Sequence, residues 1–182
     1  MSDEMPVTPV RLILGSDSDW QAANVIIGVL NAIGIPVRVS IASCHWHSGD
    51  GLENFIRGLK EDFIAYIGGM QFAAPGIAET VNKVGWQSHK IILAVPTDKI
   101  AKHACEDMPE GTVIFMAGFN SIKLEHGLIN SALGIAKLYA WKYPDFRKDL
   151  SLYFYNMRNR KLLVEEVELD GSGLIPDPKL NK

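Results

Sequence analysis

The chain has 182 residues, a size typical of one domain, and by surface scaling about 70% of its unfolded surface can be buried on folding. Hydrophobic residues make up 47% and charged residues 21%, which excludes a disordered or fibrous chain. The 18 basic and 21 acidic residues give a net charge of −3, and this balance indicates no basic face, so we predict no nucleic-acid partner.

Cysteine usage and hydropathy indicate the compartment. Cys44 and Cys105 are too few for a disulfide framework, and they lack the spacing of a structural zinc site. The N-terminal segment is acidic where a signal peptide is basic, and no apolar run is long enough to cross a bilayer. We therefore predict a cytoplasmic protein with no membrane partner.

Short apolar strands alternate with helical segments along residues 1–144. The strands are continuously apolar, which is typical of strands covered by helices on both faces. The sequence therefore predicts a three-layer, doubly wound α/β domain with a parallel sheet. The predicted strands are 10–14, 37–42, 63–67, 89–95 and 112–117, and the predicted helices are 19–33, 52–59, 75–81 and 122–141.

A further helix is predicted after this domain, at residues 145–169. An apolar stripe on a helix must be buried somewhere. We expect this helix to pack on a neighbouring subunit, with folding back onto its own domain as the alternative. For residues 170–182 we predict a flexible tail. The stripe consists of Leu150, Tyr153, Phe154, Met157 and Val164.

Two glycine-containing loops follow predicted strands, and ligands of an open α/β sheet bind beyond the carboxyl ends of the strands. Residues 15–19, Gly-Ser-Asp-Ser-Asp, place hydroxyls and backbone amides at a helix N-terminus, which suits an anion. Residues 68–76 offer bare amides that suit a phosphate or a carboxylated ring. The alternatives are a plain capped turn and a glycine-permitted turn before a helix.

The loop at 43–50 holds two of the five histidines of the chain, His45 and His47. Histidine titrates near neutrality and suits the transfer of a proton between substrate atoms. With Cys44 and Asp50 the loop also has ingredients of a metal site, but one short loop seldom supplies a whole coordination shell, so we predict no metal. Cys44 as a nucleophile is an alternative to Cys44 as a small buried residue.

Taken in order, these loops resemble the motifs of the PurE family, which comprises carboxyaminoimidazole ribonucleotide mutases and aminoimidazole ribonucleotide carboxylases. The family has Gly-Ser-x-Ser-Asp, as at 15–19, and then Ser-Ala-His-Arg-Thr-Pro, where this chain has Ser43-Cys44-His45-Trp46-His47-Ser48. Its Gly-Gly-Ala-Ala-His-Leu-Pro-Gly corresponds to 68–76, its Met-Pro-x-Gly to 108–111 and its Asn-Ala-Ala-Leu to 130–133. The resemblance spans about residues 10–141.

The resemblance implies a flavodoxin-like enzyme of purine biosynthesis that moves a carboxyl group from an exocyclic nitrogen to a ring carbon of an aminoimidazole ribonucleotide, through carbon dioxide. It implies no metal, no organic cofactor and a homo-oligomer, typically an octamer. By the same resemblance His45 is the catalytic acid and base. The implied substrate-binding residues are Gly15, Ser16, Asp19 and Ser43 at the ribose and phosphate, and Gly68 and Gly69 at the carboxyl group.

The chain departs from the family motifs where the phosphate is recognised. Trp46 replaces an arginine that grips the phosphate, and losing such a contact weakens binding on the order of a hundredfold or more. His47, when protonated, is a partial substitute. The histidine of the third loop is absent, with Phe72 and Ala73 near that place. These departures leave two alternatives open: a relative that binds another phosphorylated or carboxylated ligand, with Trp46 and Phe72 stacking on an aromatic ring, or a non-catalytic interaction module.

Overall fold

The computed structural model describes residues 7–43, 50–69, 72–84, 89–106, 108, 112–115 and 124–162. Within these ranges, five parallel strands form one sheet, in the spatial order 2-1-3-4-5 of a flavodoxin-like fold. The predicted fold class is therefore confirmed. The strands are β1 (Val10–Leu14), β2 (Val37–Ile41), β3 (Phe63–Gly68), β4 (Ile91–Pro96) and β5 (Val113–Ile114).

Six α-helices connect and follow these strands in the described part of the chain, and none of them is long and apolar enough to span a membrane. Five were predicted from their spacing. The fourth was missed because it has only eight residues and buries only the small side chains of Ala101 and Cys105. The helices are α1 (Trp20–Ala32), α2 (Asp50–Gly58), α3 (Ala74–Val84), α4 (Lys99–Glu106), α5 (Leu124–Lys142) and α6 (Phe146–Leu162).

The sheet is buried on both faces, as its apolar strands predicted. Leu12 and Leu14 of β1 pack with α1 and α5 in one cluster, and the intervening Ile13 packs with α2, α3 and α4 in the other. Ile67 and Tyr66 of β3 divide between the two faces in the same way. Successive residues of a strand point to opposite faces, so both faces demand apolar side chains.

The order of the strands reverses between β1 and β3. Leu14 lies beside Ile67 in the parallel register, and the Gly15 amide continues the pairing by donating to the Ile67 carbonyl at 3.1 Å. From here the chain runs to α1 on one face and to α3 on the other, so the two loops diverge. A crevice between diverging loops is the place where this class of fold binds its ligands.

A polar cluster ties α5 to the opposite end of the sheet. Asp62 accepts hydrogen bonds from Tyr143 and from Thr8 Oγ1, and it pairs with Lys142 Nζ at 2.9 Å. Partial burial opposes ionisation of this carboxyl, but the Tyr143 and Lys142 contacts outweigh it and lower the pKa of Asp62. The last turn of α5 is thereby anchored to the residue that precedes β3.

Helix α6 lies partly on its own subunit. Leu150 is buried, and Tyr153, Phe154 and Met157 pack half-buried against the cluster formed by α1 and α5. Other apolar side chains on these helices remain exposed, so packing of residues 145–169 on a neighbouring subunit stays a prediction. The end of that predicted helix, with Val164, and the tail 170–182 lie outside the described residues. The most exposed of these residues are Trp141, Leu152 and Tyr155.

Two helical glycines provide a matched test of the packing of α5. Gly28 is exposed in α1, and a Cβ added there meets nothing within 4 Å, so Gly28→Ala should raise the free energy of unfolding by about 1 kcal/mol. A Cβ on Gly134 of α5 would collide with the ring of Phe115, which follows β5. Gly134→Ala should therefore cost about 1 kcal/mol or more despite the better helix propensity. Urea unfolding of both variants tests this, and equal stabilisation would contradict it.

Candidate active site

A cavity of about 930 Å³ lies beyond the carboxyl ends of β1, β2, β3 and β4, at the reversal of strand order. This volume suits a ligand of nucleotide size. Its walls come from the loop after β1, the first turns of α1, the end of β2 and the loops after β3 and β4, and the first turns of α5 close it.

The loop after β1 folds around one carboxylate. The Ser16 amide donates to Asp19 Oδ2 at 3.0 Å, and the Ser16 hydroxyl donates to the same oxygen at 3.3 Å. The hydroxyls of Ser16 and Ser18 lie 2.6 Å apart. Residues 17–19 form a single 3-10 turn that leads directly into α1. The loop therefore presents two hydroxyls and a carboxylate at the mouth of the crevice.

Asp19 is nearly buried, at 9% exposed, although it lines the cavity. Burial raises the pKa of its carboxyl, and the neighbouring Asp98 carboxylate raises it further, while hydrogen bonds from Ser16 and the Gly15 amide partly oppose the rise. The hydrogen bonds that Asp19 accepts come from its own loop, so the carboxylate keeps acceptor capacity for a ligand. It suits the hydroxyl groups of a bound sugar.

Gly68, the last residue of β3, and Gly69 after it lie close to neighbouring side chains. A Cβ on Gly68 would lie 3.0 Å from the Phe72 ring, and a Cβ on Gly69 would collide with the Asp98 carboxylate. The Gly68 carbonyl accepts the Thr97 amide at 2.9 Å, which joins this loop to the loop after β4. A side chain at Gly68 would crowd the Phe72 ring and one at Gly69 would displace the Asp98 carboxylate, so glycine at both positions lets these side chains pack against the backbone.

One apolar part of the cavity lies between the end of β2 and the start of α3. Ala42, Phe72 and Ala74 line it, and Tyr66 of β3 lies among them in the same cluster. The buried Tyr66 hydroxyl has no hydrogen-bond partner among the described residues. Burial raises the pKa of this phenol far above its ordinary value, so it stays protonated.

The charged residues that line the cavity, as far as the structure describes it, are all acidic: Asp17, Asp19, Asp98 and Glu125. No lysine, arginine or histidine is among the described lining residues. Nor do the described ranges contain a group of three or more His, Cys, Asp or Glu arranged to hold a metal ion. An anionic ligand must therefore find its compensating charge in other residues, such as those of the 44–49 loop, or on another chain.

Most of the site residues predicted from the sequence meet at this cavity. The predicted residues that line it are Gly15, Ser16, Asp19, Ser43 and Gly69. Gly68 lies directly behind them, since a Cβ added to it would be 3.7 Å from Asp19 Oδ2. The predicted catalytic residue His45 and its neighbours Trp46 and His47 lie outside the described residues.

Sequence reasoning missed several lining residues. Thr97 and Asp98 follow β4, at a strand end where the strand-end rule does predict ligand binding, but no motif there assigned either residue a role. Tyr66 gave no signal, since an aromatic residue within an apolar strand reads as core. Glu125 gave none either, because only the three-dimensional fold brings α5 to this edge of the sheet.

Comparisons with known proteins agree with this geometry. No protein-family model matches the chain. Curated relatives include the N5-carboxyaminoimidazole ribonucleotide mutase of Methanocaldococcus jannaschii, 24% identical over 162 residues that cover 86% of this chain and 95% of the relative. The enzymes of the same name from Pyrococcus horikoshii and Thermotoga maritima are each 25% identical, over 174 and 170 residues, covering 91% and 90% of this chain and 89% and 93% of the relatives.

A solved structure supports the fold. The crystal structure of Treponema denticola PurE superposes with a TM-score of 0.60 at 18% identity, covering 86% of this chain and 96% of that one. The resemblance that the sequence motifs predicted is thus confirmed over most of the chain: the curated relatives are mutases at 24–25% identity, and the solved structure shares the fold.

Proposed function

We propose that this protein is a purine biosynthesis enzyme that interconverts carboxylated aminoimidazole ribonucleotides. The observation that carries the proposal is the meeting of two separate sequence motifs, 15–19 and 68–69, around one carboxylate at one cavity. The curated relatives, which carry the name of such a mutase, match this chain over nearly all of their length.

Each part of the nucleotide can be assigned to described residues of the cavity. The Ser16 hydroxyl and the Asp19 carboxylate hold the ribose and the phosphate region, with Ser43 assisting from the end of β2. The carboxyl group is received at the end of β3, beside the Gly68 and Gly69 backbone. A planar ring then lies over the carboxyl ends of β1 and β3.

The chemistry requires one group that both donates and accepts a proton, and we assign it to His45. Protonated His45 gives its proton to the exocyclic nitrogen as the nitrogen–carbon bond breaks and carbon dioxide leaves. The ring carbon then attacks carbon dioxide and forms the new carbon–carbon bond. Neutral His45 removes the proton of that ring carbon, which restores both the aromatic ring and the imidazolium. Atoms and charge balance without a metal or an organic cofactor.

The carboxylase route uses the second half of the same sequence. Free carbon dioxide replaces the carboxylated nitrogen as the donor, and His45 again removes the ring-carbon proton. The relatives are named as mutases, so we place the mutase route first. An assay that supplies each donor separately distinguishes the two routes.

The charge of the cavity favours a second candidate function, in which a divergent relative binds a different ligand. All four charged residues on the described lining are acidic, and Trp46 stands where the family has its phosphate-binding arginine. Repulsion between carboxylates and a phosphate weakens binding of a nucleotide unless a cation intervenes. We keep Trp46 and His47 as proposed substrate-binding residues that act near the phosphate of the ligand.

We also propose a homo-oligomer, with the octamer of the family as the expected state. The exposed side chains of Trp141, Leu152 and Tyr155 provide apolar surface on α5 and α6 for contact with other copies. A neighbouring chain is also a source of the missing positive charge. A cytoplasmic location agrees with the free thiol of buried Cys105.

Turnover of the ring-carbon carboxylated nucleotide tests the proposed function. We expect the wild-type protein to interconvert it with the nitrogen-carboxylated isomer, and His45→Asn to lower the rate by about a hundredfold or more while the circular dichroism spectrum stays unchanged. The control is His103→Asn, because His103 is an exposed residue of α4 away from the cavity lining. Wild-type protein without interconversion above the uncatalysed rate would refute the proposal and favour the second candidate.

The pH dependence of stability tests the environment of Asp19. Its pKa is raised in the folded state, so ionisation as the pH rises above the unfolded value near 3.8 costs stability, and the cost is complete above the folded pKa. Asp19→Asn removes this cost, so the variant should gain stability relative to wild type between pH 4 and pH 7 and bind nucleotide more weakly. Urea titrations at both pH values provide the measurement, and a relative loss of stability at pH 7 would contradict the assignment.

The mass of the particle in solution tests the oligomer. We expect light scattering to report a multimer near eight copies, and Trp141→Asp to reduce the mass because a charge would be buried at the contact. Val84→Asp is the control, since Val84 is an exposed apolar residue at the end of α3. A monomer for the wild-type protein would rule out the proposed assembly.

A further inference from the structure

Three tyrosines are buried in the described part of the chain, and only one of them lacks a hydrogen-bond partner there. The Tyr139 hydroxyl donates to the Thr8 carbonyl at 2.7 Å, and the Tyr143 hydroxyl donates to Asp62. The Tyr66 side chain is 1% exposed, yet its hydroxyl contacts no described acceptor or donor. Buried tyrosine hydroxyls normally find a partner, so this exception needs an explanation.

Tyr66 reaches the cavity by its side chain. Its backbone is enclosed in the sheet, because it pairs with Ile13 of β1 on one side and with Ala94 of β4 on the other. The side chain therefore projects to the face of α2 and α3, where the cavity wall consists of Ala42, Phe72 and Ala74. A partner for the hydroxyl can thus come from a ligand in this cavity.

The chemistry around the hydroxyl selects the kind of group that it binds. The phenol stays protonated, so it offers a donor and calls for an acceptor. The small apolar side chains beside it favour a compact planar group over a fully hydrated phosphate, which would lose more hydration there. A carboxylate oxygen accepts strongly from a hydroxyl in such surroundings.

We propose that the Tyr66 hydroxyl donates a hydrogen bond to the carboxyl group of the bound ligand and thereby selects the carboxylated nucleotide over the uncarboxylated one. This inference rests on the proposed function for the identity of the ligand. Tyr66 is a specificity-determining residue that lies two residues before Gly68 in β3, and it takes no part in proton transfer.

The test compares two ligands and two variants. Calorimetry gives the Kd of the ring-carbon carboxylated nucleotide and of aminoimidazole ribonucleotide for wild-type protein, Tyr66→Phe and Tyr139→Phe. We expect Tyr66→Phe to raise the Kd of the carboxylated ligand about tenfold or more and to leave the Kd of the other ligand within about twofold. Tyr139→Phe should keep the wild-type ratio of the two Kd values, because its hydroxyl binds Thr8 far from the cavity.

Thermal unfolding separates a ligand contact from a structural one. Without ligand, Tyr66→Phe should keep or raise the Tm, since it removes an unpaired buried hydroxyl, whereas Tyr139→Phe should lower the Tm by roughly 2–4 °C. A fall of the same size for Tyr66→Phe would show a protein partner and overturn the proposal. An equal change in both Kd values, or no change, would also overturn it.

The outcomes for Tyr66 and for the proposed function are distinct. The proposed function alone would be overturned by the following result: the wild-type protein binds the carboxylated ligand more tightly but shows no interconversion, and Tyr66→Phe loses the preference. Wild-type protein that turns the substrate over while Tyr66→Phe keeps the full preference would overturn the role of Tyr66 alone. Binding of neither nucleotide by the wild-type protein would overturn both.

Discussion

The candidate site depends on the close approach of two backbones to one carboxylate. Added Cβ atoms on Gly15 and Gly68 would lie 3.3 and 3.7 Å from Asp19 Oδ2, so Asp19 occupies the space between the ends of β1 and β3. The pairing of the Gly15 amide with Ile67 sets this distance. A Cβ at Gly15 would press on the Asp19 carboxylate, so glycine there helps the serine hydroxyls and the end of β3 face the same cavity.

The sheet was predictable because its signal is redundant. The central strands β3 and β4 are apolar throughout and are covered by helices on both faces, and this pattern predicts the fold class although β1 and β2 carry Arg11, Arg38 and Ser40. Parts of the site were predictable for a related reason, since the strand-end rule locates residues such as Ser16 and Gly69 along the chain. Tyr66 and Glu125 were not, because their contribution depends on strand register and on where α5 packs, and neither is written in local sequence.

The fold and the proposed phosphate contact place different physical demands on the sequence. The fold requires apolar strands and a few tight backbone contacts, which the relatives share with this chain at an identity near 25%. Recognition of a phosphate requires a specific charge at a specific place, and Trp46 supplies none. The acidic character of Asp17, Asp98 and Glu125 makes that change more consequential, since these residues add repulsion around any anionic group.

Asp98 joins the binding loop to a helix. One of its oxygens accepts the Ala101 amide at 2.7 Å and caps the first turn of α4, while the other faces Gly69, and the Thr97 amide holds the Gly68 carbonyl. Outward displacement of the Gly68 backbone would therefore strain the hydrogen bond between its carbonyl and the Thr97 amide, beside the residue that caps α4. The end of β3 is consequently tied to the loop that precedes α4 before any ligand arrives, so binding here needs little ordering of the Gly68 backbone.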